Sequence, residues 1–365
     1  MNLNQTDVLK DIRKIYICGL AGSGKGLLRP LLDGHSQVLN CPIQGYAESI
    51  LSAKFEQFIK RDKLISQKIQ NERENVPSLS VKIDSDLFPI SLGEFLEYLF
   101  SNDQMGSFLN AALSGEISVG ASAAQQVFVP FQFNFNNFIF ELKKYFINKK
   151  ELTVEELQNF LYGELFLNWS GQNLDKNKSI VISTIGNCFE TISKMLNSKH
   201  TKKIIIVKRN PIELSFTRAK RFLDSANIQK HEFYSVLYDK NFIKKVNLFE
   251  QNIEKIKNNK DVFCVDFKNI IFKTEKVMKE ISNFLEIPFE NIMTKATLNG
   301  QTIENNDLKF TNQINDDPEK VLKNSEIKLL KYLYKIPDHS SGIVSSVKLW
   351  LQSKTIPRMT NQKSL

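Results

Sequence analysis

Cysteine is scarce in this chain of 365 residues, and the four it has (Cys18, Cys41, Cys188 and Cys264) are not paired at metal-ligand spacing. A disulfide-stapled or metal-clipped fold is therefore not expected. A chain of this length has no need of one, since it can bury roughly three quarters of the surface its unfolded form exposes. Three of the cysteines lie in or beside apolar runs (KIYICG, NCP, VFCVDF), which predicts buried free thiols and suits a reducing, cytoplasmic compartment. No run of about 20 apolar residues occurs, so no membrane span is expected. The first residues, MNLNQTDVLKDIRK, lack the apolar core of a secretory signal. Also missing is a dense Lys/Arg tract interleaved with aromatics, so a nucleic-acid partner is not expected.

What the sequence has is an excess of positive charge. Lysine and arginine number 49 against 40 acidic residues, a net +9. That balance favours anionic partners such as nucleotides, phosphate or sulfate esters and acidic glycans; a proteome rich in Lys, Asn and Ile would produce the same excess. Hydrophobic residues at 42% and charged residues at 24% are ordinary for a globular protein.

Short apolar runs alternate with helical patterns at both ends of the chain. KIYICG (14–19), QVLNC (37–41), SIVIST (179–184), KIIIVKR (203–209) and DVFCVDF (261–267) read as strands. GLLRPLLDGHS, NCFETISKML (187–196, with Asn187 and Glu190 as a capping box), PIELSFTRAKRF (211–222) and TEKVMKEISNFLEI (274–287) read as helices. Such alternation predicts an α/β fold with a central parallel sheet flanked by helices. Residues 1–45 and 179–335 would form this nucleotide-binding core. Residues 46–178 would form a mainly helical insertion, the acceptor-binding cap: an amphipathic helix over 46–70, a linker or irregular excursion over 71–90, then Phe- and Leu-rich helices. Thr153 and Glu156 make a capping box there. The aromatics of ASAAQQVFVPFQFNFNNF (121–138) are expected in the core rather than lining a pocket. Residues 336–365 form a basic, Ser-rich tail that either packs back or touches an acidic surface.

Two stretches carry chemistry. GLAGSGKGLL (19–28) nearly matches the phosphate-loop pattern G-x-x-x-x-G-K-[ST], with Gly19, Gly24 and Lys25 in place. Gly22, Gly24 and Gly26 let the chain curl closely around an anion, the helix start supplies N–H donors, and Lys25 adds a charge. Where ATP and GTP enzymes place a magnesium-binding hydroxyl, this chain has Gly26, so the loop suits an anion handled without metal there. The second stretch is KIIIVKRNPIELSFTRAKRF (203–222). Arg209 follows a buried strand, Thr217 comes two helical turns later, and Arg221 is one turn further along the same face. A guanidinium fork with a hydroxyl can cradle a phosphate.

Together these stretches resemble the sulfotransferases that use 3′-phosphoadenosine 5′-phosphosulfate (PAPS). GSGKGLLRPLLDGHSQV is similar to that family's 5′-phosphosulfate motif, which often reads R-S-G-T-T-L-L, and VKRNPIELSFT is similar to its 3′-phosphate motif, with Thr217 at the usual serine. DVFCVDFKNIIFKTEKVMKEISNFLEIP and KATLNG (295–300) resemble its late strand, helix and threonine–glycine stretch. The resemblance covers roughly 14–45 and 179–305. It implies that Gly22, Ser23, Gly24, Lys25, Gly26 and Leu27 hold the 5′ end of PAPS, and that Arg209, Thr217 and Arg221 hold the 3′-phosphate. Sulfuryl transfer to a hydroxyl or amine of a glycan or small metabolite would follow. Departures are Gly22 for the family's cation, Lys25 for its first threonine, and Ser36 after His35 for its proline; Lys25 is expected to replace the lost cation.

The general base is the least defined element. Gln44 stands where many members have Glu or His. Glu48, four residues on, is the candidate catalytic base beside Lys25, and His35 is expected to be structural. Two other readings stay open: an ATP-dependent P-loop kinase with Asp266 as its Walker-B-like acid, and an inactive nucleotide-binding module of the same fold.

Overall fold

The computed structural model describes residues 13–40, 55, 58, 77–83, 85–101, 103–119, 127–130, 132–168, 178–183, 192, 196, 202–226, 230–298, 301–302 and 317–336. Five strands, numbered in chain order, form one sheet: β1 (Lys14–Cys18), β2 (Val38–Asn40), β8 (Ser179–Ser183), β9 (Lys202–Lys208) and β10 (Val262–Asp266). The spatial order is β10-β9-β1-β8-β2, and each neighbouring pair is parallel. The expected α/β fold with a central parallel sheet is therefore present. All five residues of β1 are buried, as a strand covered on both faces requires. Ile17 stands opposite Ile205 of β9 and Ser183 of β8.

Side-chain alternation divides the sheet between two faces. Ile15, Ile17, Ile205, Val207 and Val265 join one core with Leu28, Leu31 and Leu32 of α1 (Lys25–Leu32), Ile270 and Ile271 of α9 (Phe267–Phe272), and Met278, Ile281 and Leu285 of α10 (Thr274–Leu285). Tyr16, Ile204 and Ile206, one residue out of phase, are buried on the other side. Each fully buried aliphatic chain contributes about 1.5–3 kcal/mol of transfer free energy. Pro30 falls within α1 rather than at its start and removes the helix bond to the Gly26 carbonyl.

The stretch 77–168 is less helical than its composition predicts. Residues 78–83 and 86–91, expected as an irregular excursion, pair as an antiparallel hairpin, β3 (Ser78–Ile83) and β4 (Asp86–Ser91). The signal was the two-residue alternation in SLSVKI, which buries Leu79, Val81 and Ile83. The short β7 (Glu151–Thr153) adds in parallel to β3, giving the order β4-β3-β7. Pro89, on the edge strand β4, stands opposite Ser80. A second hairpin joins β5 (Glu116–Val119) to β6 (Val127–Pro130). Four helices complete the stretch: α2 (Leu92–Ser101), α3 (Asp103–Ser114), α4 (Phe135–Asn148) and α5 (Val154–Asn168). The capping box forms as expected: Thr153 N–H donates to Glu156 Oε2 at 2.8 Å, and Glu156 N–H donates to Thr153 Oγ1 at 3.1 Å. Phe55, Phe95, Phe138 and Phe146 are among the largest fully buried side chains, so of the 121–138 aromatics Phe138 is core. Of residues 46–70 only Phe55 and Phe58 are described. The capping box at Asn187 and Glu190, Cys41, Cys188 and the tail after 336 lie outside the described residues.

The chain divides into two compact units, residues 1–209 with 251–314, and residues 210–250 with 315–365. The second is built from α6 (Pro211–Ala226), α7 (Lys230–Leu237), most of α8 (Lys240–Ile256) and α11 (Asn324–Leu333). Pro211 opens α6 at its first position, as expected. Within that unit Arg218 Nη2 donates to Asp239 Oδ2 at 3.0 Å, and the Ser215 hydroxyl bonds the Tyr334 hydroxyl.

A buried polar chain links α5 to α4. Asn137 Nδ2 donates to Asn168 Oδ1 at 2.6 Å, and Asn168 Nδ2 donates to Glu164 Oε2 at 3.2 Å. Burial, with the Glu141 carboxylate beside it, pushes the Glu164 carboxyl up to about 7, against the opposing pull of Asn168 and Lys144. The folded state thus keeps a proton that the unfolded chain releases near 4.5. Stability from this group is complete below that value and is lost as pH rises through about 7. The full shift corresponds to a loss on the order of 3 kcal/mol. Glu164→Gln should flatten this slope: denaturant titrations at pH 5 and pH 8 are expected to differ less for the variant than for the native chain.

Candidate active site

The site is built at the end of β1. The chain leaves the buried Cys18, turns through Gly19–Gly24 and enters α1 at Lys25. Gly22 and Gly24 sit at φ 87° and 89°, a left-handed conformation that costs an L-residue roughly 1–2 kcal/mol. Gly24 has a second reason to be glycine. A Cβ there would lie 2.1 and 2.3 Å from two carbons of the Phe267 ring. The expected strand, glycine turn and helix start are therefore all present.

Hydrogen bonding within the turn decides which donors face a ligand. Ser23 N–H donates to the Leu20 carbonyl (3.0 Å), and Leu27 N–H donates to Gly24 O (2.9 Å). Of residues 22–27, all expected to hold the 5′ end of the donor, Ser23 and Leu27 therefore have their main-chain N–H groups engaged inside the loop. Helix geometry leaves the first-turn N–H group of Gly26 without a carbonyl four residues back, and the helix dipole adds partial positive charge there. The Ser23 hydroxyl is buried, and among the described residues its Oγ has no hydrogen-bond partner.

Two of the candidate cations, Lys25 and Arg209, turn toward the loop. Lys25 is buried, and its Nζ donates to Gly19 O at 2.8 Å. Arg209, one residue past β9, donates from Nη1 to Gly22 O at 3.1 Å. Its guanidinium lies over the Phe267 ring, 4.5 Å from the centroid. The structure thus brings Arg209 to the 19–27 loop across 187 residues of sequence. Phe267 was missed by sequence reading; its only signal was its place at the end of the DVFCVDF strand.

Thr217 and Arg221 lie on α6, in the second unit. Thr217 is buried, and its Oγ1 has no hydrogen-bond partner among the described residues. The side chain of Arg221, the whole of Glu48 and Gln44 lie outside the described residues. His35 has the structural role expected of it. Its Nδ1 accepts from Gln37 N–H at 3.0 Å, which places the ring proton on Nε2, 2.8 Å from Pro288 O. Thr297, in the late threonine–glycine stretch, donates to Asp33 O at 2.7 Å and so ties down the end of α1.

The kinase reading loses its acid here. Asp266 ends β10, an edge strand separated from β1 by β9. It is exposed, and its Oδ1 caps α9 by accepting Lys268 N–H at 2.8 Å. No group of three or more metal-ligating side chains occurs among the described residues, and no described helix is long and apolar enough to cross a membrane.

A hydroxyl buried without a partner costs about 1–3 kcal/mol. Ser23→Ala is therefore expected to leave thermal stability unchanged or raise it while weakening binding of phosphate-bearing ligands. A melting curve and a binding isotherm on the same preparation check this; a fall in stability would mean that Oγ is already satisfied.

No family model and no curated protein matches the chain. Among solved structures, the sulfotransferase domain from the curacin biosynthetic pathway is 18% identical and covers 89% of this chain and 98% of its own, with a TM-score of 0.42. The sulfotransferase domain from the Synechococcus PCC 7002 olefin synthase is 13% identical and covers 94% and 96%, with a TM-score of 0.40. Mouse sulfotransferase SULT7A1 complexed with PAP is 17% identical and covers 48% and 72%, with a TM-score of 0.33.

Proposed function

We propose that this chain is a PAPS-dependent sulfotransferase acting on a hydroxyl or amine of a glycan or small metabolite. The observation that carries the reading is the contact between Arg209 and the 19–27 loop: the two stretches singled out as anion-binding in the sequence meet at Gly22 O. The residues present fit the donor. Helix-start amides, the buried Ser23 hydroxyl and the Lys25 ammonium match a phosphate-like group, and Gly26 asks for no magnesium.

PAPS would supply an activated sulfuryl group whose bond to the 5′-phosphate breaks as a bond from the acceptor oxygen or nitrogen forms, the acceptor proton leaving to a base. The chain's part is electrostatic. The N–H group of Gly26 and the Lys25 ammonium would meet the charge that grows on the leaving 5′-phosphate. One such donor contributes roughly 3 kcal/mol to the barrier. Lys25 Nζ stands close to the loop, donating to Gly19 O. Arg209 would meet the 3′-phosphate, and the sequence resemblance assigns Thr217 and Arg221 to the same group. Glu48 is proposed as the base, on its place four residues past Gln44. The setting we propose is cytoplasmic, with the basic tail a candidate for surface contact.

The test is calorimetry with 3′,5′-adenosine bisphosphate, 5′-AMP and ATP–Mg²⁺, followed by transfer of labelled sulfate from PAPS to a panel of acceptors. The bisphosphate should bind far more tightly than ATP–Mg²⁺. Arg209→Ala should weaken the bisphosphate by at least about tenfold more than 5′-AMP, as loss of a charge-assisted contact predicts. Equal losses for both ligands would refute the assignment of Arg209, and bisphosphate binding without transfer to any acceptor would leave the inactive module as the better reading.

A further inference from the structure

The Phe267 ring has contacts on two sides that belong to the proposed nucleotide site. The loop backbone at Gly24 packs so closely on it that a methyl group would not fit. The Arg209 guanidinium lies over the ring, 4.5 Å from its centroid, while Arg209 Nη1 reaches the Gly22 carbonyl. The ring itself is held from behind. It is buried and belongs to the core formed by Ile270, Ile271, Met278 and Ile281, and its residue opens α9, whose start is capped by Asp266.

We propose that Phe267 is a positioning residue that couples the two anion-binding elements. Pinned by the core, it fixes the plane of the Arg209 guanidinium and the path of the backbone through Gly22–Gly24 at the same time. A phosphate drawn to Arg209 and a phosphate held by the loop then act on one rigid unit, so each favours the geometry the other needs. An aliphatic side chain at 267 would fill the core but offer the guanidinium no π-face. A tyrosine would keep the face. This inference rests on the sulfotransferase reading only for the identity of the ligand.

The experiment compares Phe267→Leu, Phe267→Tyr and the native chain in two measurements. In calorimetry, Phe267→Leu should weaken 3′,5′-adenosine bisphosphate about fivefold, the size of one cation–π contact. 5′-AMP should be weakened less, and Phe267→Tyr should restore native affinity. A uniform structural loss would weaken both ligands alike and would overturn the proposal. In hydrogen–deuterium exchange without ligand, the amides of residues 19–27 should exchange faster in Phe267→Leu than in Phe267→Tyr or the native chain. Identical exchange in all three would also overturn it. If no chain binds the bisphosphate, the sulfotransferase reading falls, and the exchange result alone decides whether Phe267 braces the loop.

Discussion

Main-chain N–H groups can converge on an anion only if the carbonyls of neighbouring peptides are held elsewhere. Here two cations hold them: Lys25 takes the carbonyl of Gly19, and Arg209 takes that of Gly22. From the second of these points the backbone passes through two left-handed glycines, Gly22 and Gly24, and enters α1. The loop is thus shaped by charge–dipole contacts made by side chains that are themselves buried. In a low-dielectric setting such contacts are stronger than they would be in water.

The parallel sheet is what makes this possible. Because β9 lies directly beside β1, the residue that follows β9 comes out next to the loop that follows β1. Parallel strands end on the same side of a sheet, and their following loops cluster there. The order β10-β9-β1-β8-β2 also explains how Phe267 arrives. β10 pairs with β9, and its next residue enters the same edge of the sheet where Arg209 emerges. His35 and Thr297 work at the far end of α1, holding the chain that leaves it. Both ends of the helix that begins the site are therefore fastened to later parts of the chain.

Much of this was legible from residue pattern. The apolar runs at 14–18, 38–40, 179–183, 202–208 and 262–266 are strands because a sheet buried on both faces demands continuous apolar residues. The loop and Arg209 could be singled out by composition and spacing. The contact between them was not legible, since it depends on strand order, which no local pattern encodes. The hairpin at 78–91 was hidden for a different reason. Its polar outward residues and Pro89 read as a linker, and only the inward positions, Leu79, Val81 and Ile83 of β3 with Phe88 and Ile90 of β4, carry the strand signal. The inward turn of Lys25 was hidden as well: a lysine in a glycine loop reads as a ligand for the anion, and nothing in that pattern tells that it also donates to a carbonyl of its own loop.

Pro89 has a consequence of its own. Ser80 donates its N–H to the Lys150 carbonyl, toward β7, so its polar backbone atoms point away from β4. In an antiparallel ladder the residue facing such a position directs its own N–H and C=O outward, to the open margin. That residue is the imino acid, and it has no hydrogen to give. A stray strand approaching this rim would find a gap in the row of donors it needs. The small three-stranded layer thereby resists growing by strand addition, and self-association through this margin is disfavoured at the level of the main chain.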